Sequence, residues 1–188
     1  MSENDAGTDD QNTQDLKTVS DVLRGNPAAF EDIVNRYQGV VLRLARRYLG
    51  DEQDAADAAQ EIFLKTYRAL ALFSLERRFM PWLYGIALNH LRSSYRRIKP
   101  WRDRKQAIAE PQPDQRNDPA AEALKRTEQE RVRSEVMRLP NSLREVVVLY
   151  YLEELSVAEV SEVLSLSREN VKSRLHRARN LLRKTLAE

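Results

Sequence analysis

The chain has no cysteine among its 188 residues. That excludes disulfides, thiol nucleophiles and thiolate metal sites, and it agrees with a reducing compartment. It has only five glycines and no glycine-rich loop of the kind that cradles phosphate. The two histidines, His90 and His176, lie far apart in sequence and no carboxylate cluster accompanies His176 at ligand spacing, so neither a metal nor any other cofactor is expected. The longest apolar run, Val146 to Leu152, is far too short for a membrane span, and no membrane insertion is expected. The first residues, MSENDAGTDDQNTQD, lack the apolar core of a signal or transit peptide. The expectation is a soluble, intracellular protein.

What remains is rich in Leu, Ala, Glu and Arg, a composition that favours helices, and the length suits one or two domains. The formal net charge of +2 conceals strong segregation of sign along the chain. Residues 1–22 are acidic and polar and read as a disordered tail. Asn26-Pro27 then has the form of an N-cap followed by proline at the first helical position, and Gly50 closes the helix that follows. Between them Phe30, Ile33, Val34, Tyr37, Val41, Leu44, Ala45 and Tyr48 recur at helical spacing. A second helix, from about Asp51 to Phe73, has an apolar face of Ala55, Ala58, Ala59, Ile62, Phe63, Thr66 and Leu70. Its other face carries Asp57, Gln60, Glu61, Leu64 and Arg68. Leu64 lies within that polar stripe, which fits either a partner surface or an ordinary exposed leucine.

A third helix is expected from about Pro81 to Ile98, with Trp82, Leu83, Ile86, Ala87 and Leu91 on its inner face. Gly85, Asn89, Arg92 and Arg96 share another face. From Arg77 to Lys105 the cations are interleaved with Phe79, Trp82, Tyr84, Tyr95 and Trp101, and Asp103 is the only acid. Such a mixture can track and stack single-stranded nucleic acid; alternatively Phe79 and Trp82 are core and the arginines merely face solvent. Residues 100–119 contain Pro100, Pro111, Pro113 and Pro119 and read as an extended linker between two modules. Beyond it, a helix from about Ala120 to Arg138 ends at Leu139-Pro140, and Asn141 or Ser142 could cap the next. The run VVVLYYL has strand propensity but no nearby strand to pair with, so it is assigned to a helix.

Residues 156–184 carry the clearest local signals. Ser156 and Glu159 form a capping box, with Leu155 and Val160 placed as a hydrophobic staple. Ser167 is the expected N-cap of the next helix, with Leu166 and Val171 as its staple and Glu169 at the positive end of the dipole. The turn around Ser165 is about three residues long and lacks the glycine frequent in helix-turn-helix motifs. Val171, Leu175, Ala178 and Leu182 share the inner face, while Glu169, Ser173, His176 and Asn180 face outward, flanked by Lys172 and Arg177. The second helix also carries Arg168, Arg174, Arg179, Arg183 and Lys184. These cations suit DNA phosphates, with Lys172, Ser173 and His176 near base edges; the bland alternative is a solvated basic helix at the end of a bundle.

Taken in order, these motifs resemble the extracytoplasmic-function group of alternative sigma factors, and the likeness runs from about Phe30 to Lys184. DAADAAQEIFLKTYRAL resembles the helix that docks on the clamp of the polymerase β′ subunit. RRFMPWLYGIALNHLRSSYRR resembles the promoter-melting and −10-reading segment, and SVAEVSEVLSLSRENVKSRLHRAR the −35-reading helix-turn-helix. The resemblance implies an all-α fold of two small helical domains, 23–99 and 120–188, joined by a flexible linker over 100–119. It implies core RNA polymerase (β′ clamp and β), promoter DNA and an anti-sigma factor as partners, no catalytic centre, and a bacterial cytoplasmic location.

It further implies that Asp57, Gln60, Glu61, Leu64 and Arg68 contact the β′ clamp. The loop with Ser74, Leu75, Arg77, Arg78 and Phe79 would capture a flipped −10 base, and Trp82, Asn89, Arg92 and Arg96 would support the separated strand. Arg168, Lys172, Ser173, Arg174, His176, Arg177 and Arg179 would contact the −35 element. Two rivals stand beside this reading. A response regulator would share the helix-turn-helix but requires an N-terminal α/β receiver. A nucleic-acid hydrolase would need more than Asp51, Glu52, Asp54 and Asp57 on one helix surface.

Overall fold

The computed structural model describes residues 3–108 and 131–187, and the chain divides into two compact units, residues 1–94 and residues 95–188. Every regular element among the described residues is helical, including all of those between residues 26 and 98, which removes the α/β receiver from consideration.

The expected disordered tail is instead a helix, α1 (Glu3–Leu23). Its polar composition hides two anchors, Asp15 and Val19, spaced one turn apart and both fully buried. Asp15 accepts hydrogen bonds from Tyr37 Oη at 2.5 Å and from the Arg36 guanidinium, so the burial of its charge is compensated by an ion pair and a second donor. Tertiary partners, not intrinsic propensity, hold this helix.

Asn26 makes no side-chain cap; Pro27–Ala29 form a 3₁₀ turn, and α2 (Phe30–Leu49) follows. α2 buries Ile33, Tyr37, Val41, Leu44, Ala45 and Tyr48 at the anticipated spacing. Each fully buried aliphatic side chain in this stripe contributes about 1.5–3 kcal/mol of transfer free energy. The helix ends where Gly50 takes a left-handed conformation (φ 77°) and its N–H bonds Arg46 O at 2.9 Å. Asp51 caps α3 (Glu52–Ala69), accepting from the amides of Gln53 and Asp54 at 2.9 and 3.0 Å. Three alanines on its buried face, Ala55, Ala58 and Ala59, allow close approach to α2. A 3₁₀ turn, Leu70–Leu72, then breaks the helix before Phe73, earlier than the single continuous helix expected.

The next helix, α4 (Phe79–Ile108), begins two residues before Pro81 and continues through Pro100, where the sequence suggests a linker. An interior proline costs about 3 kcal/mol through its lost N–H and the crowding of the carbonyl four residues back, but the residues after it, WRDRKQAI, are mostly good helix formers. The remainder of the expected linker, 109–119, and the expected helix start at Ala120 lie outside the described residues.

In the C-terminal unit, residues 131–138 form α5, which buries Val136. Pro140, not Asn141 or Ser142, occupies the cap position of α6 (Asn141–Val147), and its carbonyl accepts from the amides of Leu143 and Arg144 at 2.9 Å. Helix α6 runs directly into a π-helical turn, Val148–Leu152, so the β-favouring run is helical as assigned. Val146, Val147, Val148 and Leu149 are all buried, which accounts for the apolar start of the run, while Tyr151 and Leu152 at its end are exposed. Then come α7 (Val157–Leu164) and α8 (Arg168–Leu186), with α8 packed against both α6 and α7.

Candidate nucleic-acid and protein-binding surfaces

Helices α7 and α8 are fixed by local chemistry at both ends of the turn between them. The Ser156 hydroxyl accepts from the Glu159 amide at 3.2 Å while the Glu159 carboxylate accepts from the Ser156 amide at 2.8 Å, completing the capping box. Ser167 Oγ accepts from the Asn170 amide at 3.2 Å. In place of glycine, Ser165 takes the left-handed conformation (φ 53°). The Leu166 amide bonds Ser161 O at 2.9 Å and the Ser165 amide bonds Glu162 O at 3.2 Å, the pairing of a Schellman motif. Ser161 Oγ donates to Leu166 O at 2.5 Å and ties the turn down further.

With the turn fixed, Val171, Leu175 and Ala178 are buried and Leu182 is half-buried. The opposite side of α8 presents Arg168, Lys172, Ser173, His176, Arg177 and Arg179 to solvent. Arg174 is half-buried and donates through Nε to Asn170 Oδ1 at 2.9 Å, which orients its guanidinium along the helix. The Asn180 amide nitrogen lies 3.1 Å from His176 Nε2. The result is an exposed cationic face on a rigidly seated helix, the arrangement that meets phosphate and base edges in a major groove.

On α3, Asp57, Gln60, Glu61, Leu64 and Arg68 are all exposed, as their register requires. Gln53 Nε2 donates to Asp57 Oδ1 at 3.2 Å. Leu64 is 47 % exposed, and Tyr67, which periodicity alone does not single out, is 42 % exposed. The two border a mainly apolar groove of about 400 Å³ whose lining also includes Pro27, Phe30, Val34 and Phe63, with Glu31 beside them. Tyr67 stands edge-on to Phe30 with ring centroids 5.1 Å apart. An acidic stripe beside an apolar groove suits a protein partner rather than DNA.

The loop between Phe73 and α4 turns at Ser74, whose carbonyl accepts from the Arg77 amide at 3.0 Å. Ser74, Leu75 and Arg77 are exposed and Arg78 is half-buried. Leu72, just before the loop, is 87 % exposed, which the sequence pattern does not anticipate. Phe79 departs from expectation, because it is fully buried and so sits where no base can reach it. Its ring lies 5.6 Å from both Phe73 and Trp82 and 5.8 Å from Tyr37. Hydrophobic burial of a whole ring wins over stacking on an intermittent ligand. Tyr84 is buried too, so of the interleaved aromatics these two belong to the core. Trp82 is half-buried, as is Arg92, while Asn89 and Arg96 are exposed. Arg92 donates to Asn89 Oδ1 at 2.8 Å, joining two of the expected strand-contacting residues.

Two residues of α1 support this loop from behind. Asn12 Oδ1 accepts from the Phe79 amide at 3.0 Å, and Asp15 holds the Tyr37 hydroxyl. Burial pushes the Tyr37 phenol far above its ordinary range, and the hydrogen bond to Asp15 and that carboxylate's charge push in the same direction. Among the described residues no three His, Asp or Glu side chains converge as metal ligands, and no helix is long and apolar enough to cross a membrane.

Residues 33–100 match the family Sigma-70 region 2, and residues 129–182 match Sigma-70, region 4. The chain is 33% identical over 180 residues to the ECF RNA polymerase sigma factor SigW of Bacillus subtilis, covering 92% of this chain and 96% of that protein. It is 35% identical over 185 residues to the RNA polymerase sigma-H factor of Pseudomonas aeruginosa, covering 92% of this chain and 94% of the relative. A solved structure of CnrH in complex with the cytosolic domain of CnrY superposes with a TM-score of 0.67 at 32% sequence identity, covering 92% of this chain and 97% of that one.

Proposed function

The chain belongs to the extracytoplasmic-function RNA polymerase sigma factors, and from that membership we propose how its exposed surfaces divide the work of starting transcription. The protein binds core polymerase and directs it to promoters. In our reading the exposed stripe Asp57, Gln60, Glu61, Leu64 and Arg68, extended by Tyr67, docks on the β′ clamp. The loop residues Ser74, Leu75, Arg77 and Arg78 capture an unstacked −10 base, while Trp82, Asn89, Arg92 and Arg96 guide the separated strand. Helix α8 reads the −35 duplex through Lys172, Ser173 and His176, with Arg168, Arg174, Arg177 and Arg179 on phosphates.

The protein acts without a catalytic centre. Binding energy at the two promoter elements offsets the few kcal/mol that unstacking a base costs. We assign the N-terminal module to residues 3–99, α1 included, and the −35 module to 120–188. We place the protein in the bacterial cytoplasm, where polymerase and promoter are. We propose an anti-sigma factor as a further protein partner, as the family implies; CnrH, similar to this chain, forms a complex with the cytosolic domain of CnrY.

One observation carries this reading: both family matches coincide with an outward face of suitable chemistry, acidic and apolar on α3 and cationic on α8. The test is gel filtration of the purified chain with bacterial core polymerase. Co-elution as a stoichiometric complex is expected, and separate elution at micromolar concentration contradicts it.

A further inference from the structure

We propose that Asn12 is a positioning residue for the −10 loop, acting as an N-cap supplied to α4 from a distant helix, so that the acidic N-terminal segment sets −10 discrimination. This rests on the proposed function, in which residues 74–78 handle the −10 strand.

A helix start leaves its first amides without intrahelical partners. At the start of α4 the N-cap residue cannot itself act as the acceptor. Arg78 precedes the first helical residue, and a guanidinium has no acceptor with which to cap. Pro81, two residues after Phe79, has no N–H at all. The Phe79 amide instead donates to Asn12 Oδ1 at 3.0 Å, across 67 residues of sequence.

Asn12 is itself held in place. Asp15 and Val19 follow it at i+3 and i+7 on the same face of α1, and both are buried. Asp15 receives the Tyr37 hydroxyl at 2.5 Å, and the Tyr37 ring lies 5.8 Å from that of Phe79. One face of α1 thus fixes Phe79 twice, at its backbone directly and at its ring through Tyr37. The other end of the loop is secured at Phe73, whose ring is 5.6 Å from Phe79 and 4.8 Å from Trp82. Between these anchors Ser74, Leu75 and Arg77 are exposed. A base pocket built on so short a loop needs its ends fixed to about 0.5 Å to discriminate among bases. Loss of the cap frays the first turn of α4 and frees the downstream end.

The test compares the full-length wild type with Asn12→Ala and Asn12→Asp, the latter keeping an acceptor oxygen. Hydrogen exchange at the Phe79 amide is measured by NMR. Run-off transcription with core polymerase is then carried out on a promoter library randomised at both elements, and the transcripts are sequenced. In N12A we expect Phe79 exchange to rise at least about threefold, as for loss of an N-cap, with −10 base preference flattened by a similar factor. Preference at −35 and affinity for core polymerase should not change, and N12D should restore both altered quantities. An N12A protein with wild-type −10 preference overturns the proposal, whatever its amide exchange. Equal losses at −10 and −35 that N12D does not rescue overturn it too, since they mark general destabilisation. A wild-type chain with no −10 preference refutes the proposed role of the loop and this proposal together, whereas wild-type preference retained in N12A refutes only the role of Asn12.

Discussion

The Tyr37 hydroxyl donates to Asp15 Oδ2 at 2.5 Å, joining the middle of α2 to a helix whose sequence is almost entirely polar. Arg36 pairs with the other oxygen of the same carboxylate. Tyr37→Phe leaves the buried Asp15 with one donor fewer and should cost about 1–3 kcal/mol near neutral pH. Burial and the Asp15 hydrogen bond raise the phenol above its ordinary 10.0, so the native state keeps a proton that the unfolded chain releases. That stabilising contribution is complete below pH 10.0 and declines as pH rises, by about 1.4 kcal/mol per unit. Urea unfolding of both proteins across that range should show a steeper alkaline loss in the wild type and a narrowing gap to the variant. A gap that stays constant contradicts this.

The α3 surface makes a separate prediction. Leu64→Asp and Glu61→Lys alter exposed side chains, so circular dichroism and melting temperature should stay near wild type. Affinity for core polymerase should fall at least about tenfold for each, as for the loss of a central interface residue or a reversed charge. Pull-down of β′ at wild-type efficiency by both variants would remove the docking assignment.

On α8, Lys172→Ala and Arg177→Ala delete exposed cations from the outward face. Promoter affinity should drop for both, and where the lost contact is to phosphate the slope of log K against log salt should become shallower by about one unit. Fluorescence anisotropy of holoenzyme on labelled promoter at several salt concentrations measures this. Unchanged affinity and slope in both variants would mean that α8 does not face DNA as described.

Ser165 holds a left-handed conformation that costs a non-glycine residue about 1 kcal/mol. Ser165→Gly should therefore stabilise the C-terminal unit by up to about 0.5 kcal/mol after its extra unfolded-state entropy is counted. Ser165→Val should destabilise it, because a β-branched residue tolerates positive φ poorly. Thermal melts that rank valine at or above serine would show that the turn has another geometry.

Local chemistry is readable in the sequence wherever a few adjacent residues suffice. Ser156, Ser167 and Gly50 stand at helix ends because capping depends on the nearest backbone amides and carbonyls, whereas the caps expected at Asn26 and at Asn141 or Ser142 do not form. The outward stripes on α3 and α8 follow from periodicity alone. Tertiary effects escape such a reading. α1 has the composition of a disordered segment, yet it is held by the burial of Val19 and by Asp15 pairing with Arg36 and Tyr37 more than twenty residues away, which composition does not register. Phe79 stays ambiguous in the sequence, because an aromatic among arginines has the same signature whether it stacks on a base or fills a core; the family resemblance alone set it at a base, and it is buried. Pro100 reads as a break, yet α4 passes through it.

The measurement that bears most directly on the central claim is run-off transcription by purified core polymerase on a promoter library, with and without this chain. Transcripts that depend on the chain and start at promoters sharing two spaced elements are expected, and Lys172→Ala should weaken the preference at the upstream one. A library that yields no transcript dependent on the chain would contradict the account.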